Sequence, residues 1–253
     1  MPAAYDTYDY PAYWKGREYE HGSDIIAIKS FLEKIPSLSS VVEIGAGFGR
    51  LVPSFSYRAK KIVLTDPSAK LLNLARKQLK NKNINFLKIK IENIPNKINL
   101  NSTDLVVCVR VLHHLENIDE AFLACNKILK NKGYFILEFP NKSHFKARVT
   151  EYLRGNFTFA SDILPKDLRS PKNIRKETIP FYNYHPDYIV KKLEDSGFEI
   201  ISKRSVSNVR NQFLKKFFPI NLFLAIEAYL QKPLASINFG PSIFLLARKK
   251  ESI

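Results

Sequence analysis

Five short apolar runs punctuate the first 140 residues, and the polar-rich segments between them follow a different period. We read strands at 41–45 (VVEIG), 61–65 (KIVLT), 86–90 (FLKIK), 104–109 (DLVVCV) and 134–139 (YFILEF). Their length and their β-branched and aromatic content suit buried strands. The intervening segments predict helices over about 50–58, 68–80 and 118–130, after an amphipathic helix at 24–35. In the 118–130 segment Ile118, Ala121, Phe122, Cys125, Ile128 and Leu129 recur near a 3.6 period, which puts them on one face. Gly133 is expected to close that helix in the left-handed conformation. Strand–helix alternation of this kind predicts an α/β Rossmann-like doubly wound sheet, parallel, with helices on both faces.

After residue 140 the period is lost. Residues 141–185 are basic and aromatic with no repeat. His185 and Pro186 then open a helix that Gly197 follows. A strand is expected at 198–202 and another at 242–248, with an irregular segment at 205–241 between them. The expected organisation is one domain over 1–253: an N-terminal cap at 1–38, a core at 39–141, a lid insertion at 142–185, and C-terminal strands at 186–253. Within the last part, "FLKKFFPINLFLAIEAYL" (213–230) is strongly apolar. A buried helical subdomain is the preferred reading. A lid over an apolar acceptor, a dimer surface and a peripheral membrane contact are the others.

Composition narrows the classes. A chain of 253 residues with 45% hydrophobic residues can bury a full core. Two cysteines, Cys108 and Cys125, leave no disulfide framework, and the five histidines show no ligand spacing, so no metal site is expected. No uncharged apolar run reaches the roughly 20 residues of a membrane span. The start lacks the basic-then-apolar order of a signal peptide, so a cytoplasmic protein is expected. The formal net charge is +16, which suits nucleic acid or an anionic membrane surface. The lysines are scattered, however, and compositional bias is the preferred explanation.

The chemistry starts at "VVEIGAGFGR" (41–50). Gly45 and Gly47 let the backbone approach a ligand closely. The third glycine is Gly49, where a dinucleotide loop would place it at the position of Arg50. Glu43, two residues before the first glycine, repels a pyrophosphate and attracts an ammonium group. This disfavours a nicotinamide-dependent oxidoreductase.

At these residues the chain resembles the class I S-adenosylmethionine-dependent methyltransferases, in the type 11 methyltransferase domain branch. "VLTDPSAKLLNLAR" resembles the second motif of that family. "DLVVCVRVLHHLENIDEAFLACNKILKNKGYFILEFPN" resembles the fourth and fifth. The resemblance is strong over 40–141 and moderate over 185–203. It implies a seven-stranded sheet in the order 3-2-1-4-5-7-6 with strand 7 antiparallel, and S-adenosyl-L-methionine as cofactor. It also implies roles. Gly45, Ala46 and Gly47 pass beneath the methionine part, Glu43 meets its amino end, and Asp66 accepts from the ribose hydroxyls. Ile91 and Val109 border the adenosine. The acid usual in the third-strand loop is Lys90 here, which leaves the Ile91 backbone or Glu92 for adenine. Arg17 is a candidate for the methionine carboxylate, with Tyr13 and Trp14 shielding the reacting centre.

Transfer from a sulfonium needs a positioned acceptor and, for a hydroxyl or amine, a base. His114 is the expected catalytic base and His113 its neighbour, with packing or capping of the next helix as the alternative. Arg110, Asn141, His144, Tyr182, Tyr184 and His185 are further acceptor-side candidates. A small or medium organic molecule is the expected acceptor, methylated at oxygen, nitrogen or carbon. A transfer RNA or other RNA acceptor is the alternative, and a catalytically silent cofactor-binding partner subunit is a reading of another class.

Overall fold

A computed structural model of the protein describes residues 6, 9–80, 83–176, 178–209 and 217–251. Seven strands form one sheet: β1 (Ser40–Ile44), β2 (Lys61–Asp66), β3 (Ile84–Lys88), β4 (Thr103–Cys108), β5 (Leu129–Pro140), β8 (Phe198–Val206) and β9 (Ser242–Lys249). Their order is β3-β2-β1-β4-β5-β9-β8. The first five pair in parallel, and β9 runs antiparallel to both β5 and β8. The order and the one reversed strand agree with the sequence expectation. Two short strands, β6 (Lys166–Asp167) and β7 (Tyr182–Asn183), make a separate ribbon inside the lid insertion.

Alternate residues of each strand face opposite layers. Val41, Leu105, Val107 and Ile136 pack with Ala27, Ile28 and Phe31 of α2 (Glu18–Leu32) and with Leu72 and Ala75 of α3 (Ala69–Gln78). Val42, Val106, Cys108 and Leu137 face the other way. There they meet Phe122 and Cys125 of α4 (Ile118–Ile128) and Ile189 and Leu193 of α7 (Pro186–Asp195). Side chains cap the helix starts: Ser68 accepts from the Leu71 N–H, and Asn117 from Asp119 and Glu120. Gly197 sits at φ +84° just past α7, as its place after the helix predicted.

Two local expectations fail. No α-helix covers 50–58; Val52–Ser54 is a single 3-10 turn. Pro53 has no N–H to donate, and the Ser54 hydroxyl donates to the Leu51 carbonyl, so the local bonds favour a tight turn. At the end of α4 it is Lys132, at φ +61°, and not Gly133 that is left-handed. Gly133 is needed for space, because a Cβ there would lie 2.8 Å from the Lys130 carbonyl oxygen. The β4–β5 register jumps here from Thr103 opposite Leu129 to Leu105 opposite Tyr134.

The remaining helices are α1 (Tyr10–Tyr13), α5 (Phe145–Leu153), α6 (Pro171–Arg175) and α8 (Ile220–Ala235). α8 lies on α2 and β8, and only one of its faces is buried, carrying Phe223, Glu227, Gln231 and Ala235. The preferred sequence reading of a fully buried subdomain therefore does not hold for α8; residues 210–216 lie outside the described residues. No helix among the described residues is long and apolar enough to cross a membrane.

Candidate active site

The carboxyl ends of β1, β2, β4 and β5 bring the predicted residues to one edge of the sheet. Gly45 (φ +63°), Gly47 (φ +56°) and Gly49 (φ +79°) are all left-handed. A Cβ on Gly45 would strike Val111 Cγ2 at 2.2 Å, and one on Gly49 would meet Leu79 of the α3 end at 2.6 Å. The alternate glycine spacing thus has a physical cause. Gly45 lets the β4 loop approach, and Gly49 lets the loop rest on α3. The Ala46 N–H donates to Thr65, and the Gly47 N–H donates to Asp66 Oδ2 at 2.9 Å. Asp66 Oδ1 accepts from the Ser68 N–H at 2.7 Å. Burial raises the Asp66 carboxyl above its usual range, against these two bonds.

Glu43 is buried on β1, and its Oε2 has no hydrogen-bond partner. Burial pushes its carboxyl up to about 8, with Arg50 opposing the shift and Asp66 reinforcing it. Arg50 offsets the burial only in part, so a further cation beside this group would favour its ionised form. The place of Glu43 beside the left-handed glycine loop, with Oε2 unpartnered, fits the amino end of S-adenosylmethionine. Asp66, at the end of β2, retains lone pairs for hydroxyl donors. Ile91 and Val109 are both buried near the loop ends. The residues present therefore fit the group that the sequence implied. Lys90 is exposed and lies 4.0 Å from Glu92, so the third-strand loop offers an acid only in this surface pair.

A buried ionic network lies beside this loop, and sequence reasoning missed it. Asp24 of α2 is fully buried and holds two guanidinium groups, Arg50 at 2.8 Å and Arg110 at 3.1 Å. Arg50 also donates to His21 Nδ1 and stacks 3.7 Å over Trp14, while Arg17 stacks 4.1 Å over Tyr13. Arg110 is itself left-handed at φ +63°, and its N–H donates to Glu138 Oε2. Ser242 caps the other Glu138 oxygen. Two glutamates, Glu43 and Glu138, are thus held above the ordinary carboxylate range by burial. Asp24 is nearly invisible in sequence because it sits in an ordinary helix, 26 and 86 residues from its partners.

A cavity of about 680 Å³ opens beside the network. Its walls include Tyr10, Tyr13, Arg17, Arg110, both histidines and Phe181. His113 and His114 stand on a 3-10 turn after β4, with ring centroids 3.9 Å apart, and Phe181 packs on both. His114 Nδ1 lies 2.9 Å from the Pro180 carbonyl oxygen. A carbonyl only accepts, so Nδ1 carries the proton and Nε2 is the basic nitrogen of the neutral ring. Burial lowers the basicity of His114, with the Pro180 bond opposing, and lowers that of His113 further.

The other acceptor-side candidates divide. Arg110, Asn141 and His144 reach the cavity wall. Asn141 is committed to the Asn238 and Gly240 carbonyls, and His144 also caps α5. Tyr184 is buried and donates to the Leu112 carbonyl, and His185 caps α7; both hold structure away from the cavity. Tyr182 packs against Tyr184. No cluster of three metal-ligating side chains occurs among the described residues.

Residues 42–137 match the model of the methyltransferase domain family. The ubiquinone biosynthesis O-methyltransferase of Rickettsia bellii (strain OSU 85-389) is 28% identical over 175 residues, 68% of this chain and 66% of that protein. The transfer RNA 5-carboxymethoxyuridine methyltransferase of Escherichia coli (strain K12) is 22% identical over 225 residues, 86% of this chain and 82% of that one. Among solved structures, an S-adenosylmethionine-dependent methyltransferase from Mesorhizobium loti superposes with a TM-score of 0.58 at 15% identity, covering 88% of this chain and 96% of that one. The magnesium protoporphyrin IX methyltransferase from Synechocystis PCC 6803 with bound SAH gives 0.55 at 17%, covering 91% and 84%.

Proposed function

With residues 42–137 matching the model of the methyltransferase domain family, we propose that the protein is an S-adenosylmethionine-dependent methyltransferase that methylates a hydroxyl of a small or medium organic acceptor. The observation that carries the acceptor reading is His114, held as a neutral base by the Pro180 carbonyl in the wall of a cavity of about 680 Å³. S-adenosylmethionine supplies a methyl group on a sulfonium and its own leaving group. The chain's residues do the rest. Glu43 binds the amino end, Gly45 to Gly47 shape the cradle, and Asp66 holds the ribose. Arg17 is placed by Tyr13 to meet the methionine carboxylate. Tyr10, Tyr13 and Phe181 exclude water from the acceptor. His114 Nε2 takes the hydroxyl proton as the methyl group is accepted. His113 packs behind it and stays neutral.

The test is a panel of hydroxylated aromatic acceptors with S-adenosylmethionine, read as S-adenosylhomocysteine formed. Acceptor-dependent turnover that falls in His114→Ala supports the reading. A protein that binds the cofactor and turns over with unmodified transfer RNA alone overturns it. The RNA reading rests on the +16 charge and on the similarity to the Escherichia coli transfer RNA enzyme.

A further inference from the structure

Helix α8 buries Phe223 and Ala235 and still keeps large apolar side chains on its solvent face. Its inward face carries Glu227 and Gln231, both almost fully buried. Glu227 accepts from the Tyr19 hydroxyl at 2.6 Å and from the Ser207 and Asn208 N–H groups, and Gln231 donates to the Ser23 carbonyl. The polar residues thus anchor α8 to α2 and to the end of β8. The outward face carries Leu222, Ile226 and Tyr229, at i, i+4 and i+7, and Tyr229 is 83% exposed. Phe217 and Phe218 extend the exposed stripe before the helix begins. Solvent-facing helical positions are normally polar, and a contiguous apolar stripe marks a contact surface.

Charge identifies the occupant. The only acid in α8 is Glu227, and it points inward. The outward surface therefore offers apolar side chains and the Lys232 cation with no exposed carboxylate. A second copy of the chain would face this surface with a molecule that also carries a formal charge of +16. An anionic lipid headgroup layer above an apolar interior complements both the charge and the apolar stripe. We propose that the outer face of α8 docks the protein on anionic phospholipid bilayers, with Leu222, Ile226 and Tyr229 entering the headgroup boundary. The surface is separate from the cavity, so the inference stands whatever the acceptor is.

The experiment is flotation of the full chain with vesicles of phosphatidylcholine alone and with 30% phosphatidylglycerol, with sedimentation velocity in their absence. The composition is chosen at about the anionic content that gives a measurable surface potential. We expect flotation with anionic vesicles only, weakening as salt rises from about 50 to 500 mM. Tyr229→Glu should lower the bound fraction at least tenfold. Leu222→Ser/Ile226→Ser should do the same without adding charge. Both variants change exposed side chains, and unchanged thermal melting confirms that they fold. Equal binding to neutral vesicles, no binding, or variants that float as well as the parent overturn the proposal. So does a dimer in sedimentation that the same substitutions dissociate, which would assign the stripe to a second copy.

Discussion

With Glu43 in its proposed place at the amino end of the cofactor, cofactor binding becomes a proton-linked event. In the free protein burial pushes its carboxyl up to about 8, so at pH 7 roughly one molecule in ten is ionised, and at pH 8 about half. A cationic amino group calls for the ionised form. Ionisation at pH 7 then weakens binding by about tenfold. We predict that the affinity for S-adenosylmethionine rises about fivefold between pH 7 and pH 8, and that binding at pH 7 releases about one proton. Calorimetry in two buffers of different ionisation enthalpy measures that number directly. Glu43→Gln should abolish the release and weaken binding about ten- to a hundredfold, the loss of one hydrogen bond to a charged group. Stability has the opposite sign. The folded state keeps a proton that the unfolded chain gives up near pH 4.5, so the free protein loses stability as the pH rises from there to about 8, by about 1.4 kcal/mol per unit. Glu43→Gln should flatten that slope. Unchanged proton release in Glu43→Gln, or an affinity independent of pH from 6.5 to 8, would refute the reasoning.

Other outcomes follow from the same geometry. His114→Ala should lower turnover about a hundredfold with cofactor affinity unchanged, and the acidic limb of the wild-type rate profile should lie below the ordinary histidine value near 6.5, because burial lowers its basicity; single-turnover rates against pH check this, and His113→Ala should do less. Asp66→Ala should weaken the cofactor about ten- to a hundredfold by titration, and NAD should not bind. Asp24→Ala leaves Arg50 and Arg110 buried without their shared carboxylate and should cost about 3–5 kcal/mol, a fall in Tm of roughly 10 °C. Transfer RNA binding should collapse between low and physiological salt; submicromolar binding that survives physiological salt would favour the RNA acceptor.

What the sequence disclosed and what it hid divide by distance along the chain. The strands and the glycine loop were legible because each depends on a period or spacing within about ten residues, and the strand order followed from the family resemblance. Asp66 was legible as an acid at a strand end. The network around Asp24 was not, because Arg50 and Arg110 reach it only once the sheet and α2 have packed. The absent helix at 50–58 turned on Pro53 and on one serine hydroxyl, a contest between neighbours that apolar spacing does not register. Hydrophobicity alone also misjudged α8. Its content of apolar residues suggested a buried helix, and long-range pairings such as Glu227 with Tyr19 and Gln231 with Ser23, each 208 residues apart, fix which face turns inward.

The bond from His114 to the Pro180 carbonyl joins two parts of the chain that would otherwise vary independently. Pro180 and Phe181 belong to the insertion that walls the cavity, so the segment that would shape the acceptor's space also holds the proposed base in one tautomer and packs against its ring. Grafting that insertion from a relative to alter acceptor choice would change two properties at once, the fit of the substrate and the readiness of the imidazole. An engineer, or a lineage under selection, can broaden this cavity only by solutions that return a carbonyl to the same place.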